Sequence, residues 1–152
     1  MAYELLITPK IDAGEKFKAY LKDNEIVRGE SFKLVLEVKN VGRNTFPGGI
    51  VKKVQIEFGQ GATWDPGEIE IGRLEPESST LIRERTFPAR NIGIGWIRVP
   101  IEASDKEKIE FYQYPGVKIE GEWIYPIYGV SREELTIIKL LEELIAKYKS
   151  QT

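Results

Sequence analysis

The chain has no cysteine, no histidine, a single methionine and no apolar run near the roughly 18 residues that a membrane span requires. Each absence removes a class of function. Without Cys there is no disulfide and no thiol nucleophile. Without His the commonest general base is gone, and losing both takes away the principal zinc ligands. Most hydrolase and metalloenzyme schemes fall with them, leaving carboxylates, Lys and Tyr. Asp is scarce as well: Asp12, Asp23, Asp65 and Asp105 are scattered, and none stands in a calcium-loop spacing. No enzyme activity, metal or cofactor is expected.

An excess of one charge is also missing. Twenty-two Lys and Arg against 24 Asp and Glu give a net charge of -2, without the basic surplus that phosphate-backbone binding needs, so no nucleic-acid partner is expected. Met1 to Pro9 shows no basic start followed by an apolar segment, and no Asn-x-Ser/Thr acceptor occurs. A cytoplasmic protein with no membrane insertion is the expectation. Charged residues make up 30% of the chain, with Glu far above Asp, which is the bias of a thermophilic protein or of a mesophilic sequence that shares it.

What is present is a sheet pattern. From Ser31 to Lys39 the chain alternates, with Phe32, Leu34, Leu36 and Val38 on one side and Ser31, Lys33, Glu37 and Lys39 on the other, as in a half-buried strand. Val54, Ile56 and Phe58 repeat the alternation, and Ile69 and Ile71 alternate with glutamates. Tyr3 to Ile7 and Phe17 to Leu21, separated by Pro9 and Gly14, suit an edge strand broken in two. Thr80 to Phe87 is a further strand with mixed faces. Ile92 to Ile101 is apolar on both faces, as a central strand covered from two sides would be, and Gly93 and Gly95 in it suggest a bulge or a close backbone approach. Ile109 to Tyr114 closes the set. The loops between carry Asn40 to Gly49, the Gly59 to Gly67 segment with Trp64 and an Asp65-Pro66 turn, and a tight turn at Arg73 to Ser79. The expected fold is mainly β: an immunoglobulin-like antiparallel β-sandwich of about seven strands over residues 1–114, with a C-terminal α-helix.

Gly29-Glu30 before the alternating strand, Val38-Lys39-Asn40-Val41-Gly42 after it, Leu74-Glu75-Pro76-Glu77 before the Thr80 strand, and Gly93-x-Gly95 together resemble the CARDB-like immunoglobulin domains of archaea and bacteria over about residues 17–114. Where those domains typically have Pro-Gly-Glu, this chain has Pro76-Glu77. The resemblance implies a non-enzymatic sandwich used for contacts, and it supplies no functional residues to carry over.

An aromatic, Pro-rich connector is expected at 115–130 and an amphipathic helix at 131–150. Ser131 with Glu134 three residues on forms a capping-box pattern. At about 100° per residue, Leu140, Leu144, Ile137, Tyr148, Leu141, Ile145 and Ile138 fill an arc of roughly 160°, wider than the roughly 100° needed to cover one core. The helix can therefore dock on its own sandwich, on another chain, or on both. The candidate interaction surface is Tyr112, Tyr114, Trp123, Tyr125 and Tyr128 of the connector region with Ile137, Leu140, Leu141, Leu144 and Tyr148 of the helix.

Other constellations have blander explanations. Glu68 and Glu70 fit a solvated strand face, Gly93-Ile94-Gly95 lacks the third glycine of a dinucleotide loop, and Arg83, Arg85 and Arg98 fit either an anion patch or pairing with glutamates. The functional expectation is an interaction or assembly module with a protein partner, homodimerisation included. The alternative is a carbohydrate-binding sandwich using Trp64, Trp123 or a tyrosine for stacking, and an open edge at Tyr3 to Ile7 would add strand pairing as a docking mode.

Overall fold

A computed structural model describes residues 2–59, 61–64 and 67–151, with Trp64 and Arg83 by their backbone alone. The expected Asp65-Pro66 turn, Trp64 as a stacking ring and Arg83 as an anion ligand lie outside what is described.

Among the described residues the chain forms thirteen strands and one α-helix. The first half runs β1 (Tyr3–Asp12), a 3-10 turn (Lys18–Tyr20), β2 (Glu25–Val27), β3 (Ser31–Asn40), β4 (Gly49–Val51), β5 (Gln55–Phe58), β6 (Gly61–Trp64) and β7 (Ile69–Ile71). The second half runs β8 (Ser79–Pro88), β9 (Gly93–Val99), β10 (Ile101–Ala103), β11 (Ile109–Gln113), β12 (Val117–Ile119), β13 (Trp123–Val130) and α1 (Arg132–Ser150). One five-stranded sheet has the order β12-β11-β1-β3-β8, the other β2-β13-β9-β5-β6, and β10-β4-β7 form a small third sheet. Side chains from all three meet in one core that includes Leu5, Phe32, Phe46, Val51, Ile97 and Trp123.

The alternating strand is as expected: Phe32, Leu34, Leu36 and Val38 are buried on β3. The Asn40-Val41-Gly42 exit has a specific task. Asn40 is buried, its amide donates to the carbonyls of Asn44 (2.8 Å) and Leu74 (2.9 Å), and its Oδ1 accepts from Gly42 N–H (3.0 Å), so one side chain joins the loop after β3 to the loop at Leu74.

The mixed faces of the Thr80 to Phe87 strand have a physical cause. Phe32 pairs with Phe87 and Leu34 with Arg85, but Leu36 pairs with Ile82, a register shift that inserts an extra residue in β8. Ile82 and Phe87 can thus both face the core although they sit at odd spacing.

Several expectations are corrected. Two strand pairings, β1 with β11 and β13 with β2, are parallel, which the antiparallel reading did not include and which no local pattern reveals because the partners are distant in sequence. Tyr3 to Ile7 is not an edge: it lies between β11 and β3, and the edges of that sheet are β12 and β8. β1 instead runs on through Pro9, whose missing N–H faces the β11 side, where pairing has ended at Ile7. Phe17 to Leu21 forms the 3-10 turn, not a strand. Residues 115–130 are not a connector: they contain β12 and β13, and β13 lies inside its sheet between β2 and β9. β9 is covered on one face only, since Ile97 and Val99 are buried whereas Ile94 is 67% exposed. Gly95 does mark a close approach, because a Cβ there would stand 2.6 Å from the Phe58 ring.

Candidate functional site: an open helix face

α1 begins where β13 ends. Ser131 is extended, and its Oγ accepts from Glu134 N–H at 3.4 Å as the N-cap. The Ser131 hydroxyl in turn donates to the Glu133 carboxylate at 2.9 Å. A hydrogen bond from its own backbone amide, and then that hydroxyl, hold Glu133 below the usual carboxylate range. Acids in the first turn and Lys147 and Lys149 in the last suit the helix dipole.

The helix meets the sandwich along one narrow line. Leu135, 3% exposed, packs with Phe17 and Val27 in a small second core, with Tyr20, Leu21 and Val130 beside them. Arg132 reaches Glu30 at 3.7 Å. Two turns beyond Leu135, on the same side of the helix, Glu142 lies close enough to Tyr20 for its charge to act on the hydroxyl. Burial first, and then the carboxylates of Glu142 and Glu143, raise the Tyr20 pKa. The helix therefore turns the line through Leu135 and Glu142 toward its own body.

The apolar stripe points elsewhere. Ile137, Ile138, Leu140, Leu141, Leu144, Ile145 and Tyr148 are all exposed, from 43% at Ile138 to 71% at Tyr148. The five helix residues of the candidate surface are brought together on this face, and Ile138 and Ile145 extend it.

The aromatic half of that surface does not assemble. Trp123 is fully buried in the main core, stacked on Tyr125 with ring centroids 6.0 Å apart, and cannot act as a stacking platform. The reason is strand parity: Trp123, Tyr125 and Ile127 share the inner face of β13, while Tyr128 faces out. Tyr125 is half-buried, and burial followed by the charge of Asp23 raises its pKa. Tyr112 lies on β11 in the opposite sheet, where burial and then Glu4 and Glu110 raise its pKa, and Tyr114 stands exposed in the turn after it.

Sequence reasoning missed a patch beside Tyr128. On the outer face of the β13 sheet, Ile94 pairs with Tyr128 and Trp96 with Pro126, and Ile94, Trp96 and Tyr128 are all exposed. The signal was there in the alternation of Ile94, Trp96 and Arg98 with Gly95, Ile97 and Val99. Arg98 sits on this face paired with Glu57 (2.6 Å) and Glu122, in a different sheet from the strand that carries Arg85.

A cleft of about 600 Å³ beside the small sheet contains Lys52, Arg73, Glu70 and Glu102, but Lys52 pairs with Glu68 (3.8 Å) and Glu102 (3.4 Å), and Arg73 with Glu75 (2.9 Å). Among the described residues no group of three or more carboxylates is placed to hold a metal ion, and no helix is long and apolar enough to cross a membrane.

No known family model and no curated protein matches the chain. Among solved structures it is similar to the CARDB domain of the PF1109 protein from Pyrococcus furiosus, the type of domain its strand and turn motifs resemble. That crystal structure is 14% identical, covers 84% of this chain and 89% of its own, and has a TM-score of 0.49. A solution structure of the same domain gives 12% identity, 86% and 98% coverage, and a TM-score of 0.44. A beta-glucosidase from Listeria innocua is similar at 8% identity over 84% of this chain and 16% of that one, with a TM-score of 0.43.

Proposed function

We propose that this chain is a non-catalytic docking module whose α1 face binds protein. The observation that carries the reading is the orientation of α1: one leucine fixes it to the sandwich, and seven large apolar side chains face solvent. Most of the 19 residues of α1 are good helix formers, but helices of this size in proteins still take most of their stability from packing an apolar face. Fully burying one Leu or Ile side chain contributes about 1.5–3 kcal/mol. A covering protein surface therefore stabilises the helix and supplies the affinity at once. The charge pattern favours protein over a lipid surface, since basic residues are not concentrated along either border of the stripe: Lys147 stands on one and Lys149 on the other.

The test is a photo-crosslinking residue placed at Leu144 in the full chain in its native cells, with the same residue at Glu143 as the control. Protein adducts from position 144 and few from 143 are expected. An absence of protein adducts from 144 would end this reading.

A further inference from the structure

Ile137, Leu141, Leu144 and Tyr148 follow one another at spacings of four, three and four residues, so that Ile137 to Leu144 and Leu141 to Tyr148 are each the seven residues of a helix-pairing seam. Leu140 flanks the seam on one side, and Ile138 and Ile145 flank it on the other. We infer that the occupant of this face is α1 of a second copy of the chain, packed antiparallel about a two-fold axis. This rests on the reading that protein covers the stripe.

Three observations select that occupant. First, a register that sets Leu141 against the second copy's Leu144 also sets Ile137 against its Tyr148, so every seam residue of both helices is covered and the axis passes between residues 142 and 143. Second, the helix has four acids (Glu133, Glu134, Glu142, Glu143) and four bases (Arg132, Lys139, Lys147, Lys149), so copies do not repel. The antiparallel arrangement brings the first-turn acids toward the other copy's Lys147 and Lys149, whereas a parallel one sets acids beside acids. Third, the seven exposed side chains present on the order of 700 Å² of surface per copy, close to the roughly 800 Å² per partner of a standard interface. Because Leu135 and Glu142 face the chain's own body, the second helix approaches from the free side.

The absence of native Cys makes the test direct. Sedimentation equilibrium of the purified full chain should show a dimer, and Leu141→Glu with Leu144→Glu should raise its dissociation constant at least 100-fold. Differently tagged Ile137→Cys and Tyr148→Cys chains, mixed and treated with a short bismaleimide, should join mainly as 137-to-148 pairs. Predominant 137-to-137 joining would overturn the antiparallel arrangement, and a monomer at tens of micromolar, or a monomer that sediments with anionic phosphatidylserine vesicles, would overturn self-pairing. In the monomer case the Leu144 photo-adduct separates the two ideas: another protein captured there leaves the docking reading standing, and none removes both.

Discussion

Leu135 and Leu144 stand nine residues apart on α1, half a turn out of phase, and face opposite ways: Leu135 is 3% exposed against Phe17 and Val27, and Leu144 is 62% exposed. The same residue type thus has two roles within one helix. Leu135 decides where the helix attaches, and Leu144 belongs to the face left open.

Truncating the two leucines should therefore give unequal results. Leu135→Ala removes the side chain that anchors α1 and should cost about 2–4 kcal/mol, as large-to-small changes at buried leucines do. Leu144→Ala in the dissociated chain should stay within about 0.5 kcal/mol, as exposed substitutions do. Urea unfolding at low protein concentration, with hydrogen exchange of the α1 amides as a local readout, measures both. Equal effects would mean that the stripe packs on the chain's own sandwich.

Glu77 occupies a position that suits glycine. It stands at φ 70 in the turn Glu75-Pro76-Glu77-Ser78, closed by Ser78 N–H on the Glu75 carbonyl at 3.0 Å, the type II arrangement in which the third residue needs a left-handed backbone. Its pairing with Lys39 at 3.3 Å is largely exposed and contributes little. Glu77→Gly should stabilise the fold by up to about 1 kcal/mol, the lower end of the cost of a left-handed residue with a Cβ. The urea midpoint checks this, and a lower midpoint would show that the ion pair outweighs the strain.

How much of this could be read in the sequence depended on whether a feature is local. The β3 alternation, the Ser131 cap and the helix stripe each need only a few neighbouring residues, and all are present. Strand order is set by contacts between distant segments, so the parallel β1–β11 and β13–β2 pairings, and with them the role of 115–130, were not legible. Trp123 shows the limit at the level of one residue. Aromatic richness marked the segment, but only the parity of β13 decides that Trp123 and Ile127 face in while Tyr128 faces out. The open Ile94 and Trp96 face is marked locally by the Ile94, Trp96, Arg98 alternation, but an apolar stretch by itself does not say whether one face or both are covered.

Gly95 and Phe58 should be energetically coupled. A Cβ at 95 meets the Phe58 ring at 2.6 Å, so Gly95→Ala forces a well-packed core ring to move, at a cost of about 1–3 kcal/mol. Phe58→Leu frees space at the same spot. The double variant should be more stable than the sum of the single losses predicts, with an interaction energy of about 0.5–3 kcal/mol in a double-mutant cycle. At Gly129 the obstacle is the Asn91 backbone carbonyl, and no side-chain change offers the same rescue.

The Tyr3–Asp105 pair should give a pH dependence with two limbs. The Tyr3 hydroxyl donates to Asp105 at 2.5 Å, tying β1 to the segment after β10. That hydrogen bond is the leading cause both of the raised Tyr3 pKa and of the lowered Asp105 pKa. For Asp105, a folded pKa below the ordinary 3.8 means that its stabilisation is present above that value and is lost as pH falls through the folded pKa. For Tyr3, a folded pKa above the ordinary 10.0 means that its stabilisation is present below that value and is lost as pH rises through the folded pKa. Tyr3→Phe removes the pair while keeping the ring that packs edge-on to Phe46 at 5.5 Å. The stability difference between the native chain and Tyr3→Phe should therefore be flat from mildly acid to mildly alkaline pH and shrink toward both extremes. Urea midpoints of the two proteins across that range measure it. A difference that does not change with pH would show that the hydroxyl acts through packing and not through this bond.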